Sequence, residues 1–365
     1  MKESSKSLLL SILFAAIACF STGQSPAVAQ DAMEKLRNLY LIQGDAFRTP
    51  PGAVLLDTIR AYPPGGDDPK GVFIGAAQDL TEDEQGRVLI PDRQGNEILV
   101  FDEKGDFQFR FGRLGQGPGE FNGPTGIFAW DGQVLTHEVM ALRFQFFDLK
   151  GRFISSFIST KPYGDFFVHG DRIFAAPNSG YAMGSSGGLI DILDSKGRIL
   201  SSFGAVPEMP KWDTGKASVR LASADNNKLF AAFRYLPIIR VYSFDGKLLD
   251  EFELKNAISE KIAPLNVKMF ARRDQGEQTP LGFIVNAAYA DKDGLYIATA
   301  AAHRLEIILV DQKGKILEYY YKNLSSPLGC SGLFVRKRAG KKEFHILRSY
   351  PEHGVDVFAA KDQAR

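Results

Sequence analysis

The sequence predicts an all-β fold, a six-bladed β-propeller built from four-stranded antiparallel blades. Three observations support this prediction. A short hairpin pattern recurs along the chain, its first copies are evenly spaced, and an isolated strand near the beginning matches one that is missing near the end. Even repeats of about four strands each are typical of propeller blades.

The recurring pattern is an apolar residue, Asp, a short turn that ends in Gly, and a strand. Asp caps such a turn with its side chain, and Gly supplies the positive φ that closes it. The intervals from Asp102 to Asp148 and from Asp148 to Asp194 are both 46 residues. We expect these aspartates, with Asp245 and Asp311, to be structural. The copies are Phe101–Phe107, Phe147–Phe153, Leu193–Ile199, Phe244–Leu248 and Val310–Ile316.

The blade count follows from the outer strands. Each of the five turns leads into one outer strand, which accounts for five blades. A sixth similar strand, Val54–Ile59, stands alone near the start, whereas Leu333–Phe358 has the inner strands of a blade but no outer one. Pairing these segments completes a sixth blade and removes free sheet edges that would otherwise promote aggregation.

Two stretches carry a resemblance to a known repeat. The run Pro91–Gly105, and its continuation Phe111–Phe121 followed by Pro124–Ile127, resembles an NHL repeat. The chain is therefore similar to bacterial six-bladed propellers related to NHL domains, over the span Val54–Phe358. The first two blades match in sequence, and the later four match in their hairpin and strand pattern.

The N-terminus has the features of a signal peptide over residues 1–29. Lys2 and Lys6 precede the apolar run Leu8–Phe20, which is too short to span a bilayer comfortably. Ala27–Ala29 provides a small-x-small cleavage signal. We expect an exported protein, either periplasmic or associated with the cell envelope.

A second interpretation of this region places a lipid anchor at Cys19. Ala16–Cys19 resembles a lipobox but lacks the usual Leu three residues before the Cys. The other cysteine is Cys330, so the exported chain is expected to have no internal disulfide. Residues 30–52 are expected to form a tether, in which Asp31–Gln43 has the apolar spacing of an amphipathic helix.

Composition limits the classes of partner. The net charge is +1, which gives no case for bulk attraction to nucleic acid or to an anionic membrane. No segment after the N-terminal run is long and apolar enough to predict a transmembrane helix. The propeller is expected to occupy residues 53–360, with an insertion at 255–281 between blades four and five. This insertion is expected to form a short helix or an ordered loop, and disorder is the alternative.

Candidate ligand-binding residues come from the loops that surround one mouth of the central channel. Propellers commonly bind ligands on this face. Guanidinium groups bind carboxylate and phosphate in pairs of hydrogen bonds, and aromatic faces stack on sugars or peptide planes. The alternative to a binding site is a solvated rim with ordinary exposed arginines. The candidates are Arg93, His137, Arg143, Asp165, Tyr181, Arg220, Arg234, Tyr235, His303, Arg304 and Tyr350.

The sequence contains no recognised catalytic constellation. Gly112–Gly119 lacks the following Gly-Lys-Ser/Thr of a phosphate loop. His137, His303 and His353 lie on corresponding loops, and the resemblance to six-bladed lyases that use a channel metal implies one alternative site there. Their spacing matches no metal motif, so neither a metal nor a cofactor is expected.

We therefore expect an exported, non-catalytic binding propeller that recognises an envelope protein, a peptide or a carbohydrate. The alternative is a propeller hydrolase or lyase, similar to lactonases, with a metal in the channel.

Overall fold

The structure is a computed structural model that describes residues 47–63, 72–178, 188–207, 218–223, 228–273, 281–301, 303–325, 328–338, 340–350 and 352–361. The predicted signal peptide and residues 30–46 of the predicted tether lie outside these residues. No helix in the described ranges is long and apolar enough to cross a bilayer.

Four sheets each contain four antiparallel strands that follow one another along the chain, as predicted. They are β2 (Thr81–Glu82), β3 (Val88–Asp92), β4 (Glu97–Phe101) and β5 (Phe107–Phe111); β6 (Gly126–Trp130), β7 (Gln133–Glu138), β8 (Arg143–Asp148) and β9 (Phe153–Ile158); β10 (Tyr163–His169), β11 (Arg172–Pro177), β12 (Ile190–Leu193) and β13 (Ile199–Phe203); and β14 (Val219–Ala222), β15 (Lys228–Phe233), β16 (Ile238–Ser243) and β17 (Leu248–Glu253).

The remaining strands form one eight-stranded sheet with two halves. In sheet order they are β18 (Ala287–Asp291), β19 (Gly294–Ala301), β20 (Arg304–Val310), β21 (Ile316–Asn323), β1 (Val54–Tyr62), β24 (Gly354–Ala360), β23 (Lys341–Tyr350) and β22 (Gly329–Arg338).

The early strand β1 lies between the two halves of this sheet. It pairs with β24 in antiparallel register, from Leu56 opposite Ala360 to Tyr62 opposite Val355. Its first residues also make a short parallel ladder with β21, with Val54 opposite Tyr320. The N-terminal strand is therefore hydrogen-bonded to the last strand of the chain.

The hydrophobic core is divided among six clusters, each shared by neighbouring four-stranded units. One cluster joins Leu89 of the first sheet to Val134 of the second. Another joins Phe334 and Leu347, from the last strands, back to Phe101 of the first sheet. The six units thus pack side by side in a ring, and the innermost strands β2, β6, β10, β14, β18 and β22 line a central cavity.

The predicted Asp-to-Gly turns connect the third and fourth strands of the first five units. In the first, the Asp102 carboxylate accepts hydrogen bonds of 2.9 Å from the backbone N–H groups of Lys104 and Asp106. Asp148, Asp194 and Asp311 make the same pair of bonds. In the fourth unit this position is occupied by Ser243, whose Oγ accepts from Lys247 N, so Asp245 is not the equivalent residue.

Each turn glycine packs against an aromatic ring of the preceding blade. A Cβ added to Gly151 would lie 2.5 Å from Phe111, and one added to Gly246 would lie 2.7 Å from Phe203. The same contact joins Gly197 to Phe157, Gly314 to Phe252 and Gly105 to Tyr62. All five glycines have φ between 77° and 90°, a conformation that side chains disfavour.

The insertion contains the helix α1 (Ala257–Arg273). Its N-terminus is capped reciprocally: Ser259 N donates to Asn256 Oδ1 over 2.7 Å, and Asn256 N donates to Ser259 Oγ over 2.9 Å. The buried face of α1 includes Ile258 and Ile262, which join the cluster between the fourth and fifth units.

We predict that Gly151→Ala destabilises the fold more than Gly132→Ala. Both glycines have positive φ, which costs a side chain about 1–2 kcal/mol. Gly132 has open space where a Cβ would lie, whereas Gly151 meets Phe111, and overpacking adds about 1–3 kcal/mol. Urea unfolding measures both variants. Equal losses of stability would show that the contact between blades contributes nothing.

Candidate functional site

The channel mouth is the end of the ring where the innermost strands begin. Asp79 precedes β2, Asp165 and Arg220 lie near the starts of β10 and β14, and Ser331 lies near the start of β22. All four line a cavity of about 410 Å³. A cavity of this volume falls within the range of small-molecule pockets, roughly 300–1,000 Å³.

Two aspartates at this level join neighbouring blades in the same way. Asp79 accepts hydrogen bonds from Leu80 N over 2.9 Å and from Ile127 N of the next blade over 3.0 Å. Asp165 accepts from Phe166 N over 2.9 Å and from Leu221 N of the next blade over 3.1 Å. The carboxylates thus satisfy backbone donors that the sheets leave unpaired at their mouth ends.

Arg220 joins three blades. Its Nε donates to Asn286 O over 3.0 Å, and Nη2 donates to Ser331 O over 2.8 Å. Its Nη1 lies 3.7 Å from Asp165 Oδ2. This guanidinium therefore both fixes the backbone around the mouth and partly neutralises Asp165.

Arg234 forms the basic part of the rim above Arg220. Its guanidinium lies 4.3 Å from the centre of the Phe283 ring, and the Tyr235 ring stacks on Phe283 with centroids 5.0 Å apart. The Arg234 Nε is buried and has no hydrogen-bond partner among the described residues. Burial, and then repulsion from Arg220, lower the pKa of Arg234 to about 10, so it remains charged at neutral pH.

Helix α1 supports this part of the rim. Asn266 Nδ2 donates to both Tyr235 O and Gly282 O over 2.8 Å, and Gly282 N donates back to Asn266 Oδ1 over 2.9 Å. Ile284 N donates to Arg234 O over 2.7 Å. The insertion thus fixes the loop that carries Arg234 to the segment that carries Phe283.

Four of the predicted site residues are therefore brought together: Arg234, Tyr235, Arg220 and Asp165. Arg93 is exposed in the loop after β3, and its side chain lies against Gly123. Tyr181 lies outside the described residues, and only the backbone of Tyr350, at the end of β23, is described.

Two predicted arginines have structural partners in the interior. Arg143 is buried beside Glu138, 2.7 Å away, and donates to the Gln116 and Glu120 carbonyls of a blade-joining loop. Arg304 is 1% exposed, lies 2.9 Å from Glu306, and also donates to Asn323 and Thr49. Their charges are neutralised within the fold.

The three predicted histidines lie in separate environments. His137 is buried and stacks on Phe144 with centroids 4.2 Å apart. His303 Nδ1 lies 3.1 Å from Leu324 O, and His353 Nδ1 accepts from Ala77 N over 3.2 Å. Across the described ranges, no group of three His, Cys, Asp or Glu side chains is arranged to hold a metal.

Sequence reasoning missed Asp79, Phe283 and Asn266. Asp79 had a signal, because Asp79-Leu80 and Asp165-Phe166 occupy the same place in their blades, immediately before or within the innermost strand. Phe283 and Asn266 lie in or just after the insertion, where no repeat pattern predicts their positions.

Comparison with known proteins agrees with this architecture. A profile of the family DUF5128, described as a 6-bladed beta-propeller, matches residues 73–259. The chain belongs to this family of six-bladed β-propellers. No curated protein matches the sequence significantly.

Several solved structures share the fold at low sequence identity. Virginiamycin B lyase from Staphylococcus aureus is 11% identical, with 84% of this chain and 99% of that chain covered and a TM-score of 0.50. A candidate exported protein from Bacteroides fragilis NCTC 9343 is 10% identical, with 87% and 94% covered and a TM-score of 0.50. A member of the DUF4221 family from Bacteroides vulgatus ATCC 8482 is 11% identical, with 85% and 98% covered and a TM-score of 0.51. These likenesses show the fold alone.

We predict that His137 makes stability depend on pH. Burial lowers its pKa to about 3, from an ordinary value of 6.5. Between these values the unfolded chain binds the extra proton, so stability falls as pH decreases below 6.5. From pH 7.5 to 4.5, the wild type should lose about 2–3 kcal/mol more than His137→Phe. Denaturant unfolding at both pH values measures this, and identical losses would contradict it.

Proposed function

We propose that the protein is an exported, non-catalytic binding propeller that holds a protein or peptide ligand at the channel mouth. The observation that carries this proposal is the Arg234 guanidinium, which lies on Phe283 beside Tyr235 with its Nε unpartnered among the described residues. The guanidinium also has no ion-pair partner among the described residues, so a ligand carboxylate at the rim would offset its charge.

The chemistry of this rim favours an acidic ligand group. A guanidinium on an aromatic face can bind a carboxylate in plane while the ring stacks on the neighbouring peptide group or sugar. Arg220 adds positive charge beneath Arg234, as its effect on the Arg234 pKa shows. A carboxylate from an acidic peptide side chain therefore fits the site, and an acidic carbohydrate is the competing outcome.

The proposed location rests on the N-terminal sequence. The basic, apolar and small-residue regions of residues 1–29 have the order of a signal peptide. A candidate exported protein is also among the proteins with a similar fold. We therefore place the ligand in the periplasm or the envelope, with a lipid anchor at Cys19 as the alternative to cleavage after Ala29.

We predict that Arg234→Ala weakens capture of the partner at least tenfold, because it removes the charge and the donor at the rim. The full chain is immobilised, and envelope and cytoplasmic extracts are compared by quantitative mass spectrometry. Arg152→Ala is the matched control, because Arg152 is solvated at the opposite end of the second blade. We expect the captured partners to come from the envelope extract. If wild type and Arg234→Ala capture the partner equally, the proposal is contradicted.

We also propose that β1 closes the ring and so keeps the mouth assembled. Its ladder with β24 and the contact of Tyr62 with Gly105 connect the last blade to the first. Arg336 of β22 supports the same junction, since it donates to Glu82 and to the Glu103 carbonyl, both over 2.7 Å.

We predict that Leu56→Ala costs about 2–5 kcal/mol, because Leu56 is fully buried between the last two blades. Leu55→Ala, at a 36% exposed neighbour, should change stability by about 0.5 kcal/mol or less. Native-state hydrogen exchange tests the closure itself. Amides of β24 and of the first sheet should lose protection together in Leu56→Ala, and loss confined to β1 would contradict closure.

A further inference from the structure

Carboxylates outnumber cationic groups along the lining of the central channel. Its lining carries five carboxylates, Asp79, Glu82, Asp83, Glu84 and Asp165, against the single guanidinium of Arg220. A narrow cavity with low-dielectric walls concentrates the field of such charges. The field depends on which of these carboxylates have a cationic partner, because the whole chain has a net charge of only +1.

Asp79 is the channel carboxylate at the mouth that lacks a cationic partner. Asp83 lies 2.7 Å from Arg87, Glu82 lies 2.5 Å from Arg336, and Asp165 lies 3.7 Å from Arg220. Among the described residues no Lys or Arg forms an ion pair with Asp79. Each of its oxygens accepts one backbone N–H, which leaves lone pairs on both oxygens for a ligand in the cavity.

The surroundings of Asp79 favour a compact cation. Burial and the nearby Asp165 raise the pKa of Asp79 to about 7, so its charge is poorly compensated within the protein. Ser331 lines the same cavity, and its Oγ is buried and has no hydrogen-bond partner in the described part of the chain. Two carboxylates and one hydroxyl thus line one cavity, beside the Arg220 guanidinium that lies 3.7 Å from Asp165 and donates to Ser331 O.

We propose that the mouth end of the channel binds a primary alkylammonium group, held by Asp79, Asp165 and Ser331. An ammonium has three N–H donors, which matches these three acceptors. The group belongs to a lysine side chain or to a free amino terminus. This inference rests on the proposed function, because it assigns the part of a peptide ligand that enters the channel beneath Arg234.

The test measures the binding of small amines to the full chain by isothermal titration calorimetry at pH 8. Nα-acetyl-lysine amide represents a lysine side chain, glycylglycine amide represents an amino terminus, and Nα-acetyl-norleucine amide is the uncharged control. We expect at least one amine to bind and the norleucine compound not to bind. The amine that binds identifies the source of the ammonium.

Asp79→Asn should weaken amine binding at least tenfold. Glu84→Gln, at the opposite end of the channel, should leave the affinity for the amine within twofold of wild type. Thermal unfolding shows whether Asp79→Asn is folded. A pH titration of the wild type gives a second measurement that needs no variant. Amine affinity should fall as pH decreases below about 7, because burial and the neighbouring Asp165 raise the pKa of Asp79 to about 7 and its carboxylate becomes protonated there.

Three results would overturn the inference: no amine binding at millimolar concentration, equal binding of the norleucine compound, or wild-type affinity in folded Asp79→Asn. Its failure is distinguishable from failure of the proposed function. Capture of an envelope partner that depends on Arg234 without any amine affinity removes only this inference. Amine binding without such capture removes the rim proposal and leaves an ammonium site in the channel.

Discussion

The structure depends on the contact between each outer-turn glycine and an aromatic ring of the blade before it. The contact recurs from Tyr62 and Gly105 to Phe252 and Gly314. It requires a residue with positive φ and no Cβ, which only glycine provides without strain. Because the aromatic ring takes the place of a side chain, neighbouring sheets are held at one spacing near the periphery, and the six hydrophobic clusters fill the wedges between them.

This spacing brings the innermost strands together around the channel, where the sheets leave backbone donors unpaired at the mouth. Asp79 and Asp165 each accept one such donor from the next blade, and Arg220 donates to carbonyls of two others. These side chains have a structural role that requires them to be polar at a buried position. The same requirement places two buried carboxyl groups in the cavity, of which only Asp165 has a guanidinium within 4 Å among the described residues.

The rim is built from the repeated blades and from one segment that does not repeat, the insertion with helix α1. Helix α1 interrupts the repeat between the fourth and fifth units, and Asn266 connects it to the backbone on both sides of the rim site. Arg234 and Phe283 therefore keep a fixed relation although they lie far apart in the chain. Preorganisation of this kind reduces the conformational entropy that a protein loses when a ligand binds.

The sequence alone determined the repeat and most of the turn chemistry, because these depend on local pattern and on hairpins between adjacent segments. The rim residues that the sequence predicted identified the candidate site only in part. Arg143, Arg234 and Arg304 occupy similar places beside the loops between second and third strands, but Arg143 and Arg304 have buried acidic partners and Arg234 has none among the described residues. Only the tertiary structure decided which of these three arginines lacks an acidic partner, because burial at these positions depends on the neighbouring blade and on the insertion, both distant in sequence.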